Sequence, residues 1–216
     1  PDCNDNRQAD DCDLELGVSQ DCNGNRVPDE CDIALGRERL GGPVIIGGDD
    51  ADDHGDVGDG GNEEGWLYIQ DGFNLIGPQV GNGHKSAVCL GCNTTAEFNE
   101  VRNAFESGFD LSALPAAGWS RAVLTGPTAL SAFFAGTGPV NINNAGIIYM
   151  PAHAEEEDEF GNELVMRITD EEMVVINVNA STMNEFVADG GGRFIHDQSQ
   201  TQGGFGWLAT FLPGLQ

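Results

Sequence analysis

The chain has 216 residues, of which 36 are acidic and 9 are basic, giving a formal net charge of −27. A surface this acidic repels nucleic acid and anionic lipid, and it favours divalent cations as partners. No apolar run approaches the roughly 18 residues that a transmembrane helix needs, so we expect no insertion into a membrane.

The first feature in chain order is a repeated acidic segment. The stretches DCNDNRQADDCD (2–13) and DCNGNRVPDECD (21–32) are near-copies. Each fits a calcium loop of about twelve positions, whose spacing wraps roughly six to eight oxygens around one hard cation. The first loop supplies the predicted ligands Asp2, Asn4, Asn6, Gln8, Asp10 and Asp13. The second loop supplies Asp21, Asn23, Asn25, Val27, Asp29 and Asp32, with Gln8 and Val27 offering backbone carbonyls.

Both loops depart from the usual calcium-loop pattern at two places. Arg7 and Arg26 stand at the sixth position, where glycine is usual, and each loop ends in aspartate instead of a bidentate glutamate. These departures predict modest affinity, with a dissociation constant on the order of 10⁻⁴–10⁻³ M, as in extracellular modules. Millimolar calcium outside a cell would fill such sites.

The six cysteines form three regularly spaced pairs. Because the ends of a calcium loop converge on the ion, we favour Cys3–Cys12 and Cys22–Cys31 disulfides, although the other connectivities of these four cysteines stay open. Cys89 and Cys92 form a C-x-x-C, for which we expect a third disulfide. A single C-x-x-C does not make the usual frame of a structural zinc site. Paired cysteines indicate an oxidising compartment, so the protein is expected outside the cell or at its surface.

The repeat at 2–36 resembles dockerin and thrombospondin type 3 calcium repeats. This resemblance implies a tandem of EF-hand-like calcium loops in a secreted protein. Within it, DLELG (13–17) and DIALG (32–36) correspond to short helical turns that stop at glycine. A flexible acidic linker without bound ions is the alternative. Residues 37–43 are the predicted linker to a second domain at 44–216.

The second domain alternates strands and helices. Apolar strands are predicted at 43–48, 86–91, 120–126, 145–152 and 192–198, and helices at 63–76, 94–107, 127–136, 169–192 and 204–215. On the helices, Trp66, Ile69, Phe73, Ile76, Phe98, Val101 and Phe105 are the expected core residues. Alternation of near-continuous apolar strands with helices predicts an α/β fold, a three-layer flavodoxin-like parallel sheet covered on both faces.

Two segments of this domain are similar to the class I glutamine amidotransferase-like superfamily, including ThuA-like domains. They are AGIIYMPA (145–152) and FVADGGGRFIHDQ (186–198). In AVCLG, Cys89 resembles the family's nucleophile elbow, with Ala87 in place of the first glycine, and His196 would be the base. The resemblance thus implies a calcium-stabilised hydrolase as one alternative. In the family, however, the elbow follows the strand corresponding to GIIYMP, and a Cys89–Cys92 disulfide would remove the nucleophile.

A loop dense in aspartate follows the first strand. Asp49, Asp50, Asp52, Asp53, Asp56 and Asp59 lie close together, with His54 among them. Carboxylates this dense repel one another unless water or a cation neutralises them. We expect a third calcium site here that includes Asp50 and Asp53. A hydrolytic metal centre with His54 and His196 and a solvated loop are the alternatives. The acidic run 155–159 is expected to be a solvated hairpin or an assembly contact.

The leading hypothesis is a secreted calcium-binding structural protein. Its amino-terminal loops would dock onto a partner, either another copy of the chain or a cell-surface protein. A head-to-tail contact between copies that does not close would build a filament. The alternatives are the hydrolase and a dockerin-type module that recruits the domain to a scaffold. The cofactor in every case is Ca²⁺.

Overall fold

A computed structural model describes residues 8–19, 28, 41–47, 51–52, 54–93, 100–151, 156–157, 163–164 and 168–196. The chain divides into two units, Pro1–Gly41 and Gly42–Gln216, and the division falls inside the predicted linker 37–43. Within the described ranges, no helix combines the length and the apolar character that crossing a bilayer would need.

The first unit contains one described helix, α1 (Asp10–Glu15). Gly17 follows it with φ +67, and its N–H donates to the carbonyl of Leu14 at 3.1 Å, so the helix stops at glycine as predicted. The start differs from the expected turn at 13–17, because the helix begins three residues earlier, at Asp10. The N–H groups of Cys12 and Asp13 both donate to the carbonyl of Ala9, at 2.8 and 3.1 Å, and so form the first helical turn ahead of Asp13.

The second unit, which we call the α/β unit (Gly42–Gln216), contains nine described strands and five described helices. The strands are β1 (Val44–Gly47), β2 (Gly55–Gly58), β3 (Gly61–Glu63), β4 (Ser86–Leu90), β5 (Ser120–Leu124), β6 (Ile147–Met150), β7 (Glu156–Glu157), β8 (Glu163–Leu164) and β9 (Gly192–His196). The helices are α2 (Glu64–Ile76), α3 (Glu100–Asp110), α4 (Pro127–Phe134), α5 (Asp170–Val178) and α6 (Ala180–Ala188).

Five of these strands form one parallel sheet in the order β1-β9-β6-β4-β5. Counted from β4, the strands β5, β4, β6 and β9 follow the 2-1-3-4 order of a flavodoxin-like sheet. The fifth position is taken by β1, which comes first in the chain. The fold is therefore flavodoxin-like, as predicted, with its edge strand supplied from the amino-terminal side of the unit.

Helices cover both faces of this sheet. On one face α2 and α3 pack over Ala87, Cys89 and Tyr149, and on the other α4, α5 and α6 pack over Val88 and Ile148. The expected core residues among the described ones are buried, namely Trp66, Ile69, Phe73, Ile76, Val101 and Phe105. Phe98 and the predicted helix 204–215 lie outside the described residues.

Two sequence-based expectations for the α/β unit were wrong. Where we expected an aspartate-rich loop after the first strand, the chain forms an antiparallel hairpin of β2 and β3, which packs against α2. The single helix expected at 169–192 is two helices that divide at Asn179, whose side-chain amide donates to the carbonyl of Val175 at 2.8 Å. An asparagine that bonds the preceding turn competes with the helical hydrogen bonds, and here the helix breaks at that residue. The acidic run 155–159 contributes to a second antiparallel pair, β7 with β8.

Candidate functional site

The predicted calcium ligands lie mostly beyond the part of the chain that the structure describes. Gln8 and Asp13 are described, and Asp10 is described in its backbone only. The ligands outside the described residues are Asp2, Asn4, Asn6, Asp21, Asn23, Asn25, Val27, Asp29 and Asp32. The structure therefore shows the carboxyl-terminal end of the first loop and leaves the two loops as predictions.

Asp13 occupies the last position of the first loop and is fully buried. Its neighbours Cys12 and Glu15 on the same helix are exposed. The chain after α1 turns back, so that the N–H groups of Val18 and Ser19 donate to the carbonyl of Asp13 at 2.9 and 3.2 Å. Asp13, one of the predicted carboxylate ligands, is therefore inaccessible to water, whereas Cys12 and Glu15 on the same helix are accessible.

The same turn presents an exposed apolar pair. Leu16 is 70% exposed and Val18 is 68% exposed, on either side of Gly17. Cys12 is exposed on the same helix. Its expected partner Cys3 lies outside the described residues, as do Cys22 and Cys31, so neither of the two amino-terminal disulfides is shown and both stay predictions.

The carboxyl edge of the sheet, where the five parallel strands end, is the usual place for a site in this fold. At the end of β4, Cys89 and Cys92 form the predicted disulfide, with their Cα atoms 6.1 Å apart. Both cysteines are fully buried, and Gly91 between them adopts φ +82 to turn the chain. The sulfur of Cys89 is bonded to Cys92, so this thiol cannot serve as the nucleophile of the hydrolase alternative.

Glu172 joins three elements at this edge, a role that sequence reasoning missed. Its Oε1 accepts from the N–H of Gly126, just before α4, at 2.5 Å. Its Oε2 accepts from the Asn93 side chain at 3.1 Å and from the Thr169 N–H at 2.9 Å. The pattern Thr169-x-x-Glu172 is a capping-box signature, and the structure contains that box. The signature predicts the bond to Thr169 but not the two long-range bonds, which depend on the folded sheet.

His196 ends β9 and is fully buried in an aromatic layer beneath α2. Its ring centroid lies 4.7 Å from that of Phe194, 5.3 Å from Tyr149 and 5.9 Å from Tyr68. His54, its partner in the hydrolytic alternative, is exposed, and its carbonyl accepts the Gly65 N–H at 2.7 Å. His196 therefore packs against the rings of Phe194, Tyr149 and Tyr68.

The acidic loop after β1 is described in part. Asp50 and Asp53 lie outside the described residues, so the third calcium site stays a prediction. Asp52 is buried, and its carbonyl accepts the indole N–H of Trp66 at 3.3 Å, whereas Asp56 and Asp59 are exposed on the hairpin. Among the described residues, no group of three or more His, Cys, Asp or Glu is placed to hold a metal ion.

Two cavities open at the opposite, amino edge of the sheet. One of about 440 Å³ is lined by Asn82, His84, Glu185 and Asp189, among others, and one of about 340 Å³ lies over Trp119 and Val80. Binding sites in open parallel sheets usually form at the carboxyl edge, so neither cavity lies at the usual position of a site in this fold.

On β9, burial lowers the pKa of the Arg193 guanidinium to about 10.

No family model matches the chain, and no curated protein or solved structure matches it. The likeness to a flavodoxin-like sheet therefore depends on strand order and on the two helical layers.

Proposed function

We propose that the protein is a secreted calcium-binding structural protein, whose amino-terminal repeat (residues 2–36) docks onto another copy of the chain. The observation that carries this proposal is the repeated spacing of oxygen-bearing side chains at 2–13 and 21–32. A linker has no requirement for such spacing, whereas a hard cation needs oxygens that converge on one point.

The position of Asp13 agrees with its predicted role in the first loop. Asp13 stands where the spacing places the last ligand, and it is buried. A closed calcium loop turns its ligands toward the ion and away from water. Glu15, which is exposed on the same helix and lies beyond the loop, gives a matched comparison.

The small size of the first unit also favours bound ions. A unit of about 40 residues rarely stabilises itself through a hydrophobic core alone, and metals or disulfides usually supply the remainder. The amino-terminal repeat would accordingly be ordered when calcium is bound and would lose its structure when calcium is removed.

Docking has a candidate surface and an electrostatic requirement. Leu16 and Val18 offer adjacent apolar side chains at the end of α1. Copies with a net charge of −27 repel each other, and bound calcium lessens that repulsion. A contact between the amino-terminal repeat of one copy and the α/β unit of the next is heterologous, and if it does not close it propagates into a filament.

Sedimentation velocity with and without a chelator tests the assembly. In millimolar calcium we expect species larger than the 22.9 kDa monomer, visible as filaments by electron microscopy, and the chelator returns them to monomer. Monodisperse monomers in calcium would contradict the assembly. If large species form only after an extracellular scaffold protein is added, the dockerin-type alternative replaces self-assembly.

A further inference from the structure

The cavity of about 340 Å³ at the amino edge of the sheet combines an apolar lining with a positive charge. It lies beside the loops that precede β4 and β5, and its apolar lining includes Pro78, Val80, Leu114 and Trp119. His84 and Lys85 add polar groups to the same lining. Binding pockets usually enclose about 300–1,000 Å³, so this cavity is large enough to accept whole side chains.

Lys85 gives this cavity a charge that is rare on the chain, which has 9 basic residues against 36 acidic ones. Within the described part of the α/β unit, Arg102 and Arg121 pair with carboxylates of α3, and Arg193 is buried. Lys85 is exposed, and its Nζ donates to the carbonyl of Ala117 at 2.8 Å. No carboxylate of the described residues pairs with it. The cavity therefore presents an accessible ammonium group beside apolar side chains.

The end of α1 has the complementary features. Residues 15–18, which we call the docking segment, are all exposed. Leu16 and Val18 are the apolar pair on either side of Gly17, and Glu15 places a carboxylate directly before them. Burial of apolar side chains supplies affinity, whereas opposite charges select the partner and its orientation. Two apolar side chains and one carboxylate thus match an apolar cavity with one ammonium group.

Charge also decides between the two cavities at this edge. The cavity of about 440 Å³ is lined by Glu185 and Asp189, which would repel Glu15. The cavity beside Lys85 would attract it. The usual preference for the carboxyl edge concerns small ligands of an open sheet, and a contact between two proteins does not depend on it.

We propose that the docking segment of one copy binds in the cavity over Trp119 of another copy, where the Glu15 carboxylate pairs with the Lys85 ammonium group. The inference rests on the proposed function, because it names the surface of the α/β unit that receives the amino-terminal repeat. The docking segment and the cavity are different surfaces of the chain. The contact is therefore heterologous, and each copy both offers a segment and receives one.

Charge reversal in the full chain, with the variants measured singly and mixed, tests the contact. Lys85→Glu and Glu15→Lys each place like charges across it. In millimolar calcium, each variant alone should lose the species larger than monomer in sedimentation velocity. An equal mixture of the two should regain them, because each variant then meets a partner of opposite charge. Glu171→Lys changes an exposed carboxylate on α5 by the same charge and should assemble like the native chain.

Calcium titration of the same variants separates this inference from the proposed function, since both should keep the native number of sites. If the native chain assembles and Lys85→Glu alone assembles equally well, or if the mixture of folded variants stays monomeric, the docking site is overturned and the proposed function stands. A native chain that stays monomeric in calcium overturns the assembly and the docking site together.

A milder substitution keeps the proposal testable if circular dichroism shows that Lys85→Glu does not fold. Lys85→Met removes the charge and keeps an unbranched apolar side chain. It should shift the sedimentation profile in calcium toward monomer, and an unchanged profile overturns the proposal.

Discussion

The Oε1 atom of Glu172 on α5 accepts a hydrogen bond from the backbone N–H of Gly126 at 2.5 Å, immediately before α4 begins. The strand order reverses beside β4, and the loops that end there are where ligands of this fold class usually bind. At this point the amino terminus of α4, which attracts anions, already faces a carboxylate of the protein itself. This hydrogen bond thus connects the start of α4 to α5 at the carboxyl edge of the sheet.

Removing this carboxylate should destabilise the α/β unit. Glu172→Ala leaves the N–H groups of Gly126 and Thr169 and the Asn93 amide without the acceptor they share, which should cost about 3 kcal/mol in the free energy of unfolding. Glu171→Ala removes the adjacent, exposed carboxylate of the same helical turn and should cost less than about 1 kcal/mol. Urea unfolding measures both. Equal effects of the two substitutions would show that the buried contacts contribute nothing.

Gly91 is expected to tolerate no side chain. Its φ of +82 disfavours any L-residue, and an added Cβ would lie 2.6 Å from Cγ1 of Ile168. Gly83→Ala is the matched control, because Gly83 has φ +81 with open space around the added atom. Both substitutions should cost about 1 kcal/mol of backbone strain, and Gly91→Ala a further 1–3 kcal/mol or so from crowding. Thermal unfolding of the two variants measures the difference, and identical midpoints would count against the close packing of Ile168.

Cys89 should be chemically silent in the folded, non-reduced protein. Its sulfur is bonded to Cys92, and both residues are fully buried. Alkylation of the native chain, followed by peptide mass spectrometry, should leave both unlabelled, and labelling should appear only after denaturation and reduction. Alkylation of Cys89 in the native, non-reduced chain would contradict this prediction and support the hydrolase alternative.

The apolar pair at the end of α1, Leu16 and Val18, should be needed for assembly but not for calcium binding. Leu16→Ser combined with Val18→Ser should shift the sedimentation profile in calcium toward monomer, because these exposed side chains would lose their apolar contact. Val57→Ser alters an exposed valine of the α/β unit and should leave the profile unchanged. If the double variant assembles like the native chain, docking uses another surface.

Sequence reasoning predicted the parallel sheet because its strands are apolar on both faces, as buried parallel strands are. It could not predict that β1 takes the fifth position, since strand order is decided by packing between distant segments. The sequence did not predict the β2–β3 hairpin, because glycine and aspartate have low β-strand propensity. The hairpin is held by contacts between distant parts of the chain. For example, the Ser107 hydroxyl on α3 donates to Oδ1 of Asn62 on β3 at 2.5 Å. Glu172 combines both kinds of contact. Its capping box with Thr169 is local and can be predicted from the sequence, whereas its hydrogen bonds to Asn93 and Gly126 join distant segments and cannot.

The first calcium loop should depend on Asp13 and not on its neighbour. Asp13→Asn halves the charge that two acidic ligands, Asp10 and Asp13, bring to the end of the loop and should remove one site from a calorimetric titration. Glu15→Gln removes the same charge from an exposed position on the same helix and should leave the number of sites unchanged. Loss of a site in both variants would point to general electrostatics instead of a specific ligand.

Calorimetric titration of the native chain with calcium tests the central claim most directly, because it counts the sites. The account predicts at least two per chain, one for each amino-terminal loop, with dissociation constants on the order of 10⁻⁴–10⁻³ M. A third would indicate that the acidic loop after β1 also binds. A titration that shows no binding up to several millimolar calcium would contradict the proposed function.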